Sequence, residues 1–338
     1  MLEARCPKSP AGITLAGLVA LFCGCTVAAG AVAPAEKPID IVVARDGSGQ
    51  FRTVQEAVMS VPAGTPETPV VIHIKPGVYK ELIYVQREKR CFRFVGENSE
   101  TTVLTFDLNA NLIGLDGKPI GTFRTPSTVM DADDFTAENI TFENSAGPVG
   151  QALAIRVDGD RATFRNCRFL GWQDTVFLNR GRHYFENCYI EGHVDFIFGG
   201  ATAWFEKCRI HCRRDGYITA ASTPESAPHG FVFSRCRITG EPGAKTYLGR
   251  PWRAYSAVTY LETEMSVVVR PEGWHNWNLP EREKTSRYRE YRSVGESARP
   301  DARVAWSRQL TDKEANGLTV DRVLGGSDGW TPLKSQAR

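Results

Sequence analysis

The chain has 338 residues, of which 42% are hydrophobic and 24% are charged, a composition typical of a globular protein that can bury a sizeable core. Its 41 basic and 39 acidic residues are well mixed along the chain and give a formal net charge of +2. This composition argues against overall disorder and shows no basic stripe of the kind that binds nucleic acids.

The first predicted element is a secretory signal. Arg5 and Lys8 precede the apolar stretch ITLAGLVALFCGCTVAAG, and small residues follow it, in the order typical of a signal peptide. We expect residues 1–31 to be removed and the mature protein to be secreted, without stable membrane association. A retained anchor is disfavoured because glycines interrupt the apolar run. Lipidation at Cys25 is a second alternative, although Phe22 fits poorly three residues before a lipidated cysteine.

The next predicted element is a short helix within RDGSGQFRTVQEAVMSVP. Thr53 and Glu56 have the spacing of a capping box at its start, and the apolar residues that follow recur on one helix face. We expect this helix to close one end of the domain. Alternating or apolar runs bounded by turn residues then predict strands in PVVIHIKPGVY, ELIYV, CFRFVGE and TTVLTF.

The middle of the chain repeats itself. Five similar segments, FTAENITFENS, ATFRNCRFLGW, HYFENCYIEGH, AWFEKCRIHCR and FVFSRCRITGE, recur every 20 to 28 residues. Short alternating strands at this period are typical of a single-stranded parallel β-helix, an all-β solenoid whose coils stack on one another. The residues at the centres of the five segments are Ile140, Cys167, Cys188, Cys208 and Cys236.

Stacking would place the repeat cysteines in an internal ladder, where small apolar thiols pack well. Neighbouring parallel strands are about 4.8 Å apart, so a disulfide between Cys167 and Cys188 is geometrically feasible. Buried free thiols are the favoured interpretation. The six cysteines after residue 31 form no CxxC pair and the histidines lack metal-ligand spacing, so we expect neither a metal site nor a cofactor.

Two aspartates should meet on adjacent coils. GWQDTVF places Asp174 seven residues after Cys167, and GHVDFIF places Asp195 seven residues after Cys188. Two carboxyl groups on neighbouring strands resist ionising together, so one should keep its proton near neutral pH. Such a pair provides one nucleophile or base and one acid.

Other side chains extend this chemistry. LGRPWRAY contains Arg250, a fixed cation suited to a carboxylate, and Trp252, a flat apolar surface on which a sugar ring can pack. Gln151 in GPVGQALAIR and Gln173 are uncharged amide donors for a developing oxyanion. Together with the aspartates these groups suit acyl transfer.

After residue 275 the pattern loosens, and we expect the charged segment EREKTSRYREYR to be a solvated loop or helix that wraps the outside. No composition break divides the chain after its N-terminus, so residues 37–338 are predicted to form one catalytic domain.

The motifs GVYKE, GPVGQALAIR, GWQDTVF, DFIFG and LGRPW, in this order, resemble those of the pectinesterases (pectin methylesterases). The resemblance extends from about residue 40 to LGGSDGW near the C-terminus. It implies a right-handed parallel β-helix and metal-independent hydrolysis of the methyl esters of pectin, releasing methanol and pectate. Methylated homogalacturonan would be the partner of a monomeric enzyme.

The resemblance also implies roles for particular residues. Asp195 would be the nucleophile that forms an acyl-enzyme, Asp174 the acid and then the base, and Arg250 the cation that keeps Asp195 ionised. Gln151 and Gln173 would line the oxyanion hole. Phe198 and Trp252 would contact the sugar chain. Trp172 stands where family members often carry Tyr, which leaves subsite preference open.

Three alternatives remain at this point. Paired carboxylates on a solenoid also suit a glycosidase or lyase, although the adjacent pair Asp133 and Asp134 lacks the sequence surroundings of a polygalacturonase. A related esterase or thioesterase could act on an ester other than pectin. A non-catalytic carbohydrate-binding solenoid would explain the aromatic residues without any reaction.

Overall fold

The computed structural model describes residues 39–333, which form a right-handed parallel β-helix. The predicted signal over residues 1–31, with Cys25, lies outside the described residues. The strands are, in chain order, β1 (Ile39–Val43), β2 (Val70–Ile74), β3 (Gly77–Lys80), β4 (Ile83–Val85), β5 (Phe92–Gly96), β6 (Thr102–Phe106), β7 (Thr128–Met130), β8 (Thr136–Glu138), β9 (Thr141–Asn144), β10 (Ile155–Val157), β11 (Ala162–Arg165), β12 (Arg168–Leu170), β13 (Val176–Leu178), β14 (Arg182–Glu186), β15 (Tyr189–Gly199), β16 (Thr202–Glu206), β17 (Arg209–Ala221), β18 (Phe231–Ser234), β19 (Arg237–Gly240), β20 (Thr246–Gly249), β21 (Ala257–Leu261), β22 (Glu264–Met265), β23 (Arg287–Tyr291) and β24 (Arg308–Gln309).

Helices occur mainly at the two ends of the described chain. The α-helices are α1 (Val54–Ser60), α2 (Asp312–Asn316) and α3 (Val320–Leu324), and short 3-10 segments occupy Thr122–Arg124, Pro280–Lys284 and Pro300–Ala302.

The strands form sheets that run the length of the solenoid. One sheet has the order β1-β2-β5-β8-β11-β14-β16-β18-β21-β23-β24. Two further ladders, β3-β6-β9-β12 and β4-β7-β10-β13, both pair with the long strand β15, which pairs in turn with β17. Every pairing between these strands is parallel, as expected where each coil adds one strand to each sheet.

The internal ladder predicted from the repeats is present. Thr141, Arg168 and Tyr189 are in register on successive coils, so the residues one position earlier stack as predicted. A left-handed residue precedes each rung, and Asn166 and Asn187, at φ 52° and 53°, are a residue type that tolerates this conformation. The six described cysteines are all buried and free, in agreement with the favoured interpretation.

A column of aromatic rings forms the centre of the core. Phe164, Phe185, Phe205, Phe233 and Tyr260 stack on successive coils with centroids 4.4 to 4.7 Å apart. All five are fully buried, and each such side chain contributes about 1.5–3 kcal/mol by leaving water.

Helix α1 is capped from two places in the sequence. Thr53 Oγ1 accepts the Glu56 N–H at 3.3 Å, which is one half of the predicted capping box. The carboxylate of Glu81 accepts the N–H groups of Val54 and Gln55, both at 2.9 Å. The acidic residue of the GVYKE motif therefore satisfies the orphan donors of a helix start.

The C-terminal segment wraps the outside of the first sheet, as predicted. Helix α3 packs against β16, and the apolar residues of the two terminal helices join an outer cluster. That cluster includes Tyr184, Trp204, Val232, Leu261, Leu310, Val320 and Leu324.

The prediction for EREKTSRYREYR was wrong over its second half, because β23 is a strand of the first sheet rather than a loop or helix. Glu290 points inward and is paired with Arg303 at 2.8 Å, with side chains only 4% and 2% exposed. Trp274 Nε1 also donates to Glu290, at 3.3 Å. From the sequence alone, a charged residue that is buried together with its partner cannot be distinguished from a charged residue exposed to solvent.

Candidate active site

Asp174 and Asp195 are in register on adjacent coils. The pairs Val176–Ile197 and Phe177–Phe198 fix the register of β13 and β15, and the aspartates lie two residues before the first pair. The Asp174 N–H donates to the Val194 carbonyl oxygen at 3.1 Å. The strand register therefore confirms the prediction that the two aspartates are neighbours on adjacent coils.

A break in strand geometry explains how a carboxylate fits an apolar run. Asp195 has a left-handed φ of 53°, and the pairing of β15 with β17 shifts between Val194 and Ile197. Phe196 and Ile197, which follow, are both completely buried, so the usual alternation of faces stops here. Irregularities of this kind re-aim a side chain and are common beside active sites.

Arg250 binds Asp195 with both ends of its guanidinium. Nε donates to Oδ1 at 2.8 Å and Nη2 donates to Oδ2 at 2.6 Å. The residue directly follows β20, and its own N–H is held by the Thr219 carbonyl oxygen at 2.9 Å. A two-point ion pair of this kind fixes the orientation of the carboxylate as well as its charge.

Two aromatic rings hold the Arg250 guanidinium in place. The centroids of Tyr217 and Trp277 lie 3.8 and 3.7 Å from its central carbon. Two rings cannot share one side of a planar group at that distance, so they cover opposite faces. The sandwich leaves only the edges of the cation free for hydrogen bonds.

The surroundings separate the proton affinities of the two aspartates. Burial raises the pKa of Asp195, while the hydrogen bonds and charge of Arg250 act in the opposite direction. Burial and the negative charge of Asp195 raise the pKa of Asp174 well above its ordinary value of 3.8, against a smaller opposing effect of Arg250. These effects favour the proton on Asp174 and the negative charge on Asp195.

Gln151 and Gln173 are neighbours on the two coils that lead into the site. They form an isolated parallel bridge, and the Ala152 N–H donates to the Gln173 carbonyl oxygen at 3.1 Å. Among residues 39–333 neither side-chain amide hydrogen-bonds to another residue. Both amides are therefore available to a ligand.

Aromatic side chains form the wall of the site. Phe198 stacks on Phe177 with centroids 4.5 Å apart, and Trp252 lies edge-on to Phe198 at 5.7 Å. Phe123, from the loop between β6 and β7, covers Phe177 at 5.2 Å. Such a surface suits the apolar face of a sugar ring.

All the predicted site residues line one cleft with a volume of about 360 Å³. They are Gln151, Gln173, Asp174, Asp195, Phe198, Arg250 and Trp252. Sequence reasoning missed four other lining residues, Thr122, Phe123, Ala220 and Trp277. Phe123 and Trp277 lie in irregular segments outside the repeats, where no spacing rule singles them out.

Trp172, where the sequence departs from the pattern it resembles, lies on the same coil next to Gln173. Its ring is edge-on to His193 at 5.8 Å, and the guanidinium carbons of Arg213 and Arg214 lie 3.7 and 4.8 Å from its centroid.

The described residues hold neither a candidate metal cluster nor a candidate membrane span. Residues 39–333 contain no cluster of three or more His, Cys, Asp or Glu side chains placed to hold a metal ion. No helix in the same range is long and apolar enough to cross a bilayer.

Comparison with known proteins assigns the family. The model of the family described as Pectinesterase matches residues 40–327. The chain belongs to the pectinesterase family. Pectinesterase 31 of Arabidopsis thaliana is 46% identical over 280 residues, which are 81% of this chain and 88% of that protein.

Solved pectinesterase structures share the fold. The pectin methylesterase from carrot is 34% identical with a TM-score of 0.79, over 85% of this chain and 93% of that one. A pectin methylesterase solved in complex with a hexasaccharide is 31% identical with a TM-score of 0.76, over 86% and 98% of the two chains. The predicted β-helix and the resemblance drawn from the five motifs are thus confirmed.

Proposed function

We propose that this pectinesterase removes methyl esters from the galacturonate units of pectin, yielding methanol and pectate through an aspartyl acyl-enzyme. The observation that carries the proposal is the pairing of Asp195 with Arg250 beside Asp174, in a cleft with free amide donors and an aromatic wall. Burial and the charge of Asp195 raise the pKa of Asp174 well above 3.8, which suits it to the role of acid. Membership of the family supports the ester specificity.

In the first half of the reaction, the Asp195 carboxylate attacks the C6 ester carbonyl of a galacturonate unit. The side-chain amides of Gln151 and Gln173 donate hydrogen bonds to the oxyanion that forms, without adding a charge that would trap it. As the tetrahedral species collapses, the C–O bond to the methoxy group breaks and Asp174 gives it a proton. Methanol leaves, and the acyl group remains on Asp195 as an anhydride.

In the second half, Asp174 is a carboxylate and takes a proton from a water molecule, whose oxygen attacks the anhydride carbonyl. Collapse of this second tetrahedral species releases Asp195 as a carboxylate and the galacturonic acid, which loses its proton to solvent. Asp174 is then protonated again, because the proton it took from water replaces the one it gave to methanol. Throughout the cycle Arg250 stabilises Asp195 as nucleophile and as leaving group.

Phe198 and Trp252 are proposed to contact the sugar rings on either side of the ester. Stacking of the Phe198 and Trp252 side chains on the sugars would hold the polysaccharide with its C6 group over the aspartates. Because pectin is a polymer outside the cell, residues 1–31 are proposed to be removed on export. Residues 37–338 are proposed to form a single, monomeric catalytic domain.

Methanol release from highly methylated pectin tests the proposal. Asp195→Ala should abolish it while circular dichroism and the unfolding midpoint show a retained fold, and Asp301→Ala, at an exposed acidic position, is the matched control. Activity retained in Asp195→Ala would refute the nucleophile. Shortened chains without methanol would indicate a glycosidase or lyase, and hydrolysis confined to other esters or thioesters in a substrate panel would exclude pectin as substrate.

A further inference from the structure

The outer face of the first sheet carries a group of arginines at its C-terminal coils. Arg289 on β23 and Arg308 on β24 are partners in the register of the two strands, and Arg287 lies two residues before Arg289 on the same face of β23. Adjacent parallel strands are about 4.8 Å apart, so the side chains of Arg289 and Arg308 leave the sheet next to each other. The cleft lies elsewhere, on the strands β13, β15, β17 and β20 of the other sheet.

Arg289 and Arg308 line a groove with a volume of about 810 Å³ between the last strands and helix α2. The lining holds three cations, Arg289, Arg308 and Lys313, and one carboxylate, that of Glu314. Two positive charges are therefore uncompensated within the groove. This balance favours a ligand with two negative charges.

The carboxylate of Glu314 is held by two other groups. Its Oε1 accepts from Arg308 Nη2 at 2.7 Å. Its Oε2 accepts from the Thr311 N–H at 2.9 Å, which completes the capping box of α2. Glu314 therefore compensates Arg308 and the start of a helix, and the charge of Arg289 is left over.

Arg289 lacks a counter-charge of its own. Its side chain is partly buried, and among residues 39–333 its guanidinium has no hydrogen-bond or ion-pair partner. Burial lowers the pKa of Arg289, and the positive charges of Arg308 and Arg287 lower it further, against the opposing charge of Glu314. Arg287 is no anion partner either, because its N–H groups donate to backbone carbonyl oxygens of the neighbouring loops. A cation in such surroundings destabilises the fold unless an anion joins it.

We infer that Arg289, Arg308 and Lys313 form a binding site for a doubly charged tetrahedral oxyanion, phosphate or sulfate. The guanidinium of Arg289 can donate to two oxygens of such an ion at once, and Arg308 and Lys313 are the donors for the remaining oxygens. A single carboxylate would compensate Arg289 and leave one positive charge in the groove, which favours the dianion. The bound ion would join β23, β24 and α2. The site is separate from the cleft and does not depend on the proposed reaction.

Titration of the full chain with inorganic phosphate, followed by calorimetry at low ionic strength in a buffer of monovalent ions, tests the site. Arg289→Met keeps the apolar stem but removes the donors, and it should bind phosphate about ten-fold more weakly than the wild type. Glu314→Gln should bind phosphate more tightly, because a competing negative charge is lost while the amide keeps the capping box. Arg237→Gln, at an exposed arginine on β19, is the control and should bind as the wild type does.

Thermal unfolding gives a second readout. Phosphate should raise the unfolding midpoint of the wild type more than that of Arg289→Met, since an ion that binds only the folded state stabilises it. Without phosphate, Arg289→Met should be at least as stable as the wild type, because it no longer carries an unpaired cation. Unchanged phosphate affinity in Arg289→Met, or weaker binding by Glu314→Gln, would overturn the site. Acetate at the same ionic strength should raise neither midpoint, and an effect equal to that of phosphate would overturn the preference for a dianion.

Discussion

The indole of Trp277 lies 3.7 Å from the central carbon of the Arg250 guanidinium, on the same cation that binds Asp195 with two hydrogen bonds. Trp277 has a left-handed φ of 64°, and its N–H donates to His275 Nδ1 at 3.0 Å. A residue fixed in this way limits the motion of Arg250, and through it the orientation of Asp195, the proposed nucleophile.

Replacing Trp277 tests its role as a positioning residue. Trp277→Ala should lower kcat about ten-fold, since a poorly oriented group costs catalysis more than binding. The acidic limb of the pH profile should move upward, because a loosened Arg250 stabilises the Asp195 carboxylate less. Trp277→Phe, which keeps a flat ring, should restore most of both properties. A higher KM with an unmoved pH profile would instead indicate a sugar contact alone.

The pH dependence of kcat/KM should be bell-shaped. In the proposed mechanism, activity requires an ionised Asp195 and a protonated Asp174. Burial raises the pKa of Asp195, against Arg250, so the acidic limb should lie above the ordinary carboxyl value. Burial and the charge of Asp195 place the pKa of Asp174 well above 3.8, which sets the alkaline limb. Initial rates across pH measure both limbs as properties of the pair, and a profile without an alkaline limb would contradict the acid role of Asp174.

Asp174 should also reduce stability at neutral pH. Its folded-state pKa is raised above the unfolded value, so its favourable contribution is complete below about pH 4 and is lost as pH rises through the folded-state pKa. Asp174→Asn removes that loss and should be more stable than the wild type near pH 7 by on the order of 1 kcal/mol, while nearly inactive. Denaturant unfolding at several pH values measures the difference, which should grow with pH; a constant difference would be evidence against the shifted pKa.

The buried ion pair of Glu290 and Arg303 gives a stability prediction outside the cleft. Glu290→Gln leaves the almost fully buried Arg303 without its counter-charge and should cost about 3–5 kcal/mol. Glu290→Gln/Arg303→Met should recover much of that loss, because no unpaired charge remains. Unfolding free energies of the single and double variants test whether the two residues stabilise the fold as a pair, with Arg292→Gln as an exposed control. An additive loss in the double variant would contradict the pairing.

The internal cysteine ladder should be insensitive to reductant. Since Cys167 and Cys188 are buried free thiols, the unfolding midpoint should be the same with and without reductant, and both thiols should react with an alkylating agent once the protein is unfolded. A midpoint that falls on reduction would identify a disulfide between rungs.

The sequence predicted those features that depend on the repeat. The equal distances from Cys167 to Asp174 and from Cys188 to Asp195 placed the carboxyl groups together because stacking carries one coil onto the next. Trp277 could not be found in this way, since it reaches Arg250 from an irregular segment whose path is set by tertiary contacts. Strand β23 was missed because Glu290 is matched by an arginine thirteen residues later, which local patterning does not register.

The position of Asp195 along the solenoid has a further consequence. Its strand, β15, follows β14 and precedes β16 in the chain, and these are the sixth and seventh of the eleven strands in the first sheet, so its coil lies near the middle of the solenoid. In a solenoid each coil is stabilised mainly by its neighbours, so fraying starts at the terminal coils and travels inward one coil at a time. Several coils must open on either side before fraying reaches Asp195, so the geometry of the proposed catalytic site is insulated from the least stable parts of the molecule.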